Sequence, residues 1–207
     1  MPPRPDVSAE RRAQIIQAAL ACFTHKGYNS TTMDDIVAES GLSKGSLYWY
    51  FKSKDDLFAA AFLSSITNFG QEAIAGLEQF ATASGKLRAL AQAMGGFCQT
   101  TEGLFSLLVE FYASSPRRKE AGQLWADVFV QYNEIVAEII EEGVGNGEFK
   151  LVDSKSLVWA MMATYDSLAV YAMVVPGMDV GRISQVFVET LLSGLVVDGQ
   201  GNGQEED

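Results

Sequence analysis

One short stretch, GLSKGSLYWYFKSKDDL (41–57), gathers the side chains of this sequence best suited to chemistry. Ser43 and Ser46 carry hydroxyls, Lys44, Lys52 and Lys54 carry ammonium groups, and Tyr48, Trp49 and Tyr50 are consecutive rings. Hydroxyls and ammonium groups hold phosphate oxygens, while flat rings pack against sugars and thymine methyls. Gly45, without a side chain, allows the backbone a close approach. The chemistry these types suit is non-covalent recognition of a polyanion. Catalysis has little to work with. His25 is the single histidine and sits near a helix end, with no nucleophile–base arrangement around it. HExxH, CxxC and clustered histidines are absent from the sequence. GVGNGEF (143–149) has glycines but neither a lysine–serine pair nor a preceding strand, so it reads as a loop and not a phosphate cradle. The expectation is a protein that is not an enzyme, with no catalytic residue, no metal site and no cofactor.

The charge balance at first argues against a polyanion partner, because the chain of 207 residues carries a net charge of −11. That charge is unevenly divided. Residues 1–56 hold seven basic and seven acidic residues, and residues 57–207 hold eight basic and nineteen acidic ones. The first segment is neutral with its lysines near the aromatic stretch, so a nucleic acid can dock there if the acidic remainder is kept away. Cys22 and Cys98 lie in separate apolar runs and read as buried free thiols, which suits the cytoplasm. MPPRPDVSAERR lacks the apolar core of a signal peptide. Residues 157–175 imitate a membrane span, but Asp166 stands at the centre and no basic cluster flanks the run. A buried or interfacial helix is the expectation, with no membrane partner.

The elements that must position the aromatic stretch are helical. Apolar residues recur at helical spacing, proline is absent between Pro5 and Pro116, and no useful run alternates with strand period. A first helix from about Ala9 to His25 presents Ile15, Ile16, Ala19, Leu20 and Phe23 and ends at Lys26-Gly27. STTMDD opens a second, with Thr31 or Thr32 as its cap, and Gly41 turns the chain. Ser43 caps a third helix over 44–51, in which Leu47, Tyr50 and Phe51 point inward and Lys44, Gly45, Ser46, Tyr48 and Trp49 point outward. Two short helices joined by a glycine turn and packed on a third make a helix-turn-helix, whose second short helix enters the DNA major groove. The competing structural reading is a core hairpin whose rings are buried. Further helices are expected at about 54–81, 84–101, 103–114, 117–142, 154–175 and 180–197.

GYNSTTMDDIVAESGLSKGSLYWYFKSKDDLFAAAF (27–62) resembles the DNA-binding region of the TetR family of bacterial transcriptional regulators. The resemblance is carried by Gly27-Tyr28, Thr31-Thr32, Ile36-Val37, Gly41-Leu42-Ser43, Leu47 to Phe51 and Lys54 to Leu57. It implies phosphate contacts at Thr32 and Ser43, groove contacts at Lys44, Gly45, Ser46, Tyr48 and Trp49, and a backbone clamp at Lys54. Tyr50 stands where the family usually has histidine, which leaves it open between a DNA contact and the core. Asp34 occupies a position where some relatives read bases with a basic or polar residue, and no contact is assigned to it.

The resemblance also implies an all-α protein of about nine helices. An N-terminal three-helix DNA-binding domain (8–53) precedes a larger C-terminal helical ligand-binding and dimerisation domain (54–197) and a disordered tail (198–207). In a homodimer the last two helices would pair, with candidates Val158, Met161, Leu168, Ala172, Ile183, Phe187, Thr190, Leu191 and Gly194. The family further implies an apolar cavity for a small-molecule effector. Its candidates are the bulky residues Phe97, Phe105, Phe111, Tyr112, Trp125, Phe129, Tyr132, Trp159, Met162 and Tyr165, each with ordinary core as its alternative, and Asp166, whose alternative is a solvated or paired carboxylate. The expected function is a ligand-responsive dimeric repressor on an inverted-repeat operator in double-stranded DNA, released by a largely hydrophobic or aromatic effector. A member of the same family that activates, or ignores ligand, is the alternative.

Overall fold

A computed structural model describes residues 7–100 and 102–197, so the expected tail at 198–207 lies outside the described residues. Among the described residues there are nine α-helices. These are α1 (Val7–Lys26), α2 (Met33–Ser40), α3 (Lys44–Tyr50), α4 (Lys54–Ala75), α5 (Ala83–Thr100), α6 (Glu102–Ser114), α7 (Arg118–Gly145), α8 (Ser154–Val174) and α9 (Val180–Leu195). The all-α expectation holds. The helix expected over 54–81 stops at Ala75, where Gly76–Gln79 tightens into a 3-10 turn. The chain packs into two compact units. One comprises Met1–Gly70 with Thr101–Phe129, and the other Gln71–Thr100 with Val130–Asp207. Each unit joins segments distant in sequence, so this is a different partition from the functional division expected at 53/54.

The first unit holds α1 to α3, most of α4, α6 and the start of α7. Its centre is aromatic. Phe58 stacks on Phe111 at 4.7 Å and meets Phe23 edge-on at 5.2 Å, and Tyr28 meets Phe58 and Phe111 edge-on at 5.1 and 5.4 Å. Trp125 extends the cluster to Phe62 and donates its indole N–H to the Ala59 carbonyl at 3.3 Å. Edge-to-face and offset pairs of this kind add to what area burial alone contributes.

In the second unit α5 packs against both α8 and α9. Leu87, Cys98, Ile140, Val158, Ala169 and Leu192 are buried there almost completely. The loop after α7 is clasped from three directions. Glu148 accepts the Ala83 and Ser84 N–H at the start of α5, 2.9 and 2.8 Å. Phe149 bridges Val196 just past α9, with Lys150 N donating to Leu195 O at 2.7 Å and Val197 N to Glu148 O at 3.0 Å. The Phe149 ring lies over Gly143, where a Cβ would run into that ring and come within 2.9 Å of Ala83 Cβ.

Candidate nucleic-acid interface

Local signals build the reading head. Thr32 caps α2 in a reciprocal box: its Oγ1 accepts the Asp35 N–H at 3.2 Å, and Asp35 Oδ2 accepts the Thr32 N–H at 2.8 Å. Gly41 ends α2 at φ 66°, a left-handed conformation that glycine adopts without steric cost. Ser43 Oγ then caps α3 by accepting the Ser46 N–H at 3.2 Å. Leu47 is fully buried and Phe51 nearly so, which fixes the rotation of α3 about its axis. The opposite face is left outward: Trp49 is 67% exposed and Tyr48 38%. Lys44 and Gly45 are exposed on that face, and Ser46 is half-buried at its edge. The competing hairpin with buried rings is thereby excluded for Tyr48 and Trp49. Tyr50, left open between the core and a DNA contact, is half-buried. It lies edge-on to Trp49 at 4.5 Å and its hydroxyl is 3.4 Å from Ser8 Oγ.

The lysines are less free than the sequence suggested. Lys26 pairs with Asp35 at 2.7 Å, and Lys44 with Asp34 at 2.7 Å. Lys52 donates to the Tyr48 carbonyl at 2.9 Å, at the carbonyl end of α3. Lys54 donates to the Tyr28 and Asn29 carbonyls at 2.8 and 3.2 Å and lies over the Tyr28 ring. Thr32, too, spends its hydroxyl locally, donating to Asp35 Oδ2 at 2.7 Å. The hydrogen bonds from Lys26 and from Thr32 hold the Asp35 carboxyl well below the usual carboxylate range.

A second network, not anticipated from the sequence, fastens the α1–α2 turn of the head to α6 and the α6–α7 turn within the same unit. Tyr28 Oη donates to Asp55 Oδ1 and Ser115 Oγ to Asp55 Oδ2, both at 2.6 Å. Glu110 Oε2 accepts the Asn29 N–H at 3.1 Å, and Ser114 Oγ donates to Asn29 Oδ1 at 3.0 Å. Arg117 pairs with Asp56. Burial, reinforced by Asp55, pushes the Tyr28 hydroxyl far above its ordinary pKa. No local signal marks these partners, which lie up to 85 residues apart.

Residues 15–61 match the sequence profile of the bacterial regulatory proteins of the tetR family. The chain carries the DNA-binding domain of the TetR family. Over nearly its full length the chain is similar to the transcriptional repressor KstR2 of Mycolicibacterium smegmatis, 27% identical over 208 residues that span 94% of this chain and 95% of the relative. Its fold is shared by the regulator FadR of Bacillus subtilis, solved with stearoyl-CoA, at a TM-score of 0.74 and 25% identity over 88% of this chain and 98% of that one. A regulator from Saccharomonospora viridis, solved with choline, shares the fold at a TM-score of 0.75 and 18% identity, over 92% of this chain and 100% of that one. The TetR family and these relatives are transcriptional regulators and not enzymes, as expected for this chain.

The remaining expected site residues fall in different places. Phe111 and Trp125 are buried in the aromatic cluster of the first unit, with Tyr112 at its exposed edge and Phe129 half-buried. Phe97, Tyr132 and Met162 are half-buried in the second unit, Tyr165 is buried, and Trp159 is exposed. The side chain of Phe105 lies outside the described residues. Asp166 is accessible, yet the protein packed around it raises its carboxyl pKa. Burial, with the Asp166 charge second, pushes the Cys98 thiol up to about 11. Of the residues expected to pair subunits, Val158, Met161 and Leu168 are buried within the chain's own second unit. Ala172, Ile183, Phe187 and Leu191 are half-buried, and Thr190 and Gly194 are exposed. Exposed apolar residues lie instead at Val170, Tyr171, Val174 and Val186.

Proposed function

We propose that this TetR-family regulator is a dimeric repressor whose two heads read an inverted-repeat operator and let go when a small effector binds. The observation that carries the reading is the exposure of Tyr48 and Trp49 on a helix anchored from behind by Leu47. Rings kept in water on a rigidly oriented helix forgo the burial that comparable side chains gain in a core, and contact with sugars and base edges supplies it. Ser43, Ser46 and Gly45 flank them for close approach to the backbone. Because the lysines have partners of their own, one head is a weak electrostatic binder. Two heads on a common body, reaching half-sites about 34–36 Å apart, turn the second contact into an intramolecular one.

The dimer contact is assigned to the outward faces of α8 and α9, with Val170, Tyr171 and Val174 meeting Val186, Thr190 and Gly194. α8 is long and apolar enough to cross a membrane by length and composition, and only 28% of its most apolar window is buried in the single chain. A second copy covering that surface accounts for its apolarity, and the protein then works in the cytoplasm, where its DNA is. The effector is small and largely hydrophobic or aromatic. Phe97, Tyr132, Trp159, Met162, Tyr165 and Asp166 of the second unit are its candidate contacts. Relatives of this fold hold ligands as different as an acyl-CoA and a quaternary ammonium, so the fold alone does not select one. Release follows if the effector prefers an arrangement in which the heads no longer match the half-site spacing. The Tyr28–Asp55–Ser115 and Asn29–Glu110 bonds are the route by which a shift of α6 would reach the head.

Fluorescence anisotropy on labelled DNA from upstream of the protein's own gene, against scrambled DNA at near-physiological salt, tests this. Tight binding to the upstream duplex, lost in Tyr48→Ala, is the expected result. Equal binding to both duplexes would replace the reading with sequence-indifferent attachment.

A further inference from the structure

Asp34 and Lys44 meet across the helix-turn-helix. Asp34 is the second residue of α2 and Lys44 the first of α3, and the ammonium lies 2.7 Å from Asp34 Oδ1. Both side chains are open to water, 70% and 60% exposed. The neighbouring acid has a different job: Asp35 closes the α2 cap and holds Lys26. Asp34 takes no part in that cap, and Lys44 is its one polar partner among the described residues. An exposed pair of this kind contributes little to folding. What it alters is the charge that DNA meets, because Lys44 lies on the outward face of α3 together with Tyr48 and Trp49.

Lys44 cannot neutralise a phosphate without leaving Asp34, and the abandoned carboxylate then faces a polyanion. On arbitrary DNA nothing compensates that exchange. Where the sequence presents an exocyclic amino group, cytosine N4 or adenine N6, at the edge of the major groove beside α2, the freed carboxylate accepts a hydrogen bond from it. We propose that Asp34 is a specificity-determining residue: it withholds Lys44 from sequence-indifferent binding and is repaid at a base amino group in the operator. The proposal rests on the DNA-binding reading above and adds to it a position of readout.

The test uses the full chain, an operator selected from random duplexes by the wild-type protein, and a scrambled duplex, each titrated between about 50 and 300 mM salt. Asp34→Ala is expected to tighten binding to scrambled DNA about tenfold and to steepen its log–log salt dependence by about one for each engaged head, since one more phosphate is neutralised. Operator affinity is expected to stay level or fall, so that the ratio between the two duplexes drops. In a Lys44→Ala background the same change should tighten scrambled binding by only about two- to threefold, because the carboxylate's own repulsion is relieved but no lysine is freed, and the salt slope should not steepen. Equal tightening on both duplexes, or a gain undiminished without Lys44, would reduce Asp34 to a repulsive charge and overturn the proposal. Asp34→Ala binding like the wild type on both duplexes defeats the proposal alone. A wild-type protein that selects no duplex defeats the DNA-binding reading with it.

Discussion

Replacing Tyr28 by phenylalanine removes one oxygen from the junction between the reading head and α6, and its effect can be worked out in two parts. The ring keeps its place among Phe23, Phe58 and Phe111, so packing is preserved. What is lost is a 2.6 Å hydrogen bond to the Asp55 carboxylate from a side chain 3% exposed. Bonds to charged acceptors contribute about 1.5–3 kcal/mol. Asp55 keeps the Ser115 hydroxyl and is itself only half-buried, so the lower end applies, about 1.5 kcal/mol at pH 7. The second part is the pH dependence. Burial and Asp55 raise the Tyr28 pKa in the folded state, while in the unfolded chain it titrates near its ordinary value of about 10. Tyr28 therefore contributes its full stability below pH 10. Above that, the unfolded state sheds a proton that the folded state keeps, and wild-type stability falls by about 1.4 kcal/mol per pH unit on this account alone. The variant has no such group. Urea unfolding of both proteins between pH 7 and 11.5 should show a gap that is constant up to about pH 10, then closes and reverses within about two further units. A loss under about 0.5 kcal/mol at pH 7 would mean that the bond to Asp55 is no better than one to water. A gap that does not vary with pH would mean that Tyr28 ionises as freely in the fold as out of it.

Leu47→Ala deletes the fully buried anchor of α3 and should cost about 2–5 kcal/mol in urea unfolding, whereas Trp49→Ala, on the exposed face, should shift stability by less than about 0.5 kcal/mol while lowering operator affinity about tenfold. Glu148→Gln weakens the anchorage of the first turn of α5. Burial acts to raise this carboxyl, but the Ser84 and Ala83 N–H groups and Arg88 outweigh it and the net shift is downward. Its contribution, about 1 kcal/mol, should be intact above the unfolded value of about 4.3 and should vanish as pH falls through the lower folded value, so the two proteins converge in acid. Val186→Asp places a charge on an exposed apolar face of α9 and should move the protein from dimer to monomer in sedimentation velocity without altering its helical circular dichroism.

The parts of this molecule legible in its sequence are those whose causes are local. Thr32, Gly41 and Ser43 announce caps and turns within three or four residues of the groups they satisfy, and the i, i+4 spacing of Leu47 and Phe51 orients α3. The lysines are legible as charges but their partners within the chain are not, because an ammonium's surroundings depend on what folding brings to it. Lys54 looked like a free phosphate clamp, yet the carbonyls that hold it belong to Tyr28 and Asn29 in another turn. Glu110 gave no hint of its bond to Asn29. On α8, apolar residues lie all round the helix, so periodicity could not decide which face serves the chain's own core. Val158, Met161 and Leu168 turn inward there, leaving Val170, Tyr171 and Val174 outside. The helix expected over 54–81 outruns α4 for a related reason: the apolar pattern continues into the 3-10 turn at Gly76–Gln79, where Leu77 is still buried.

The clasp after α7 bears on how this protein can diversify. Phe149 occupies the space a side chain at Gly143 would need, and the same short loop supplies the carboxylate for α5 and the bridge beyond α9. These positions form one inherited choice: a larger residue at 143 is admissible only with a smaller one at 149, and either change disturbs three helix ends together. A chain that keeps this clasp must therefore change the two positions together, so Gly143 and Phe149 are retained or replaced as a pair.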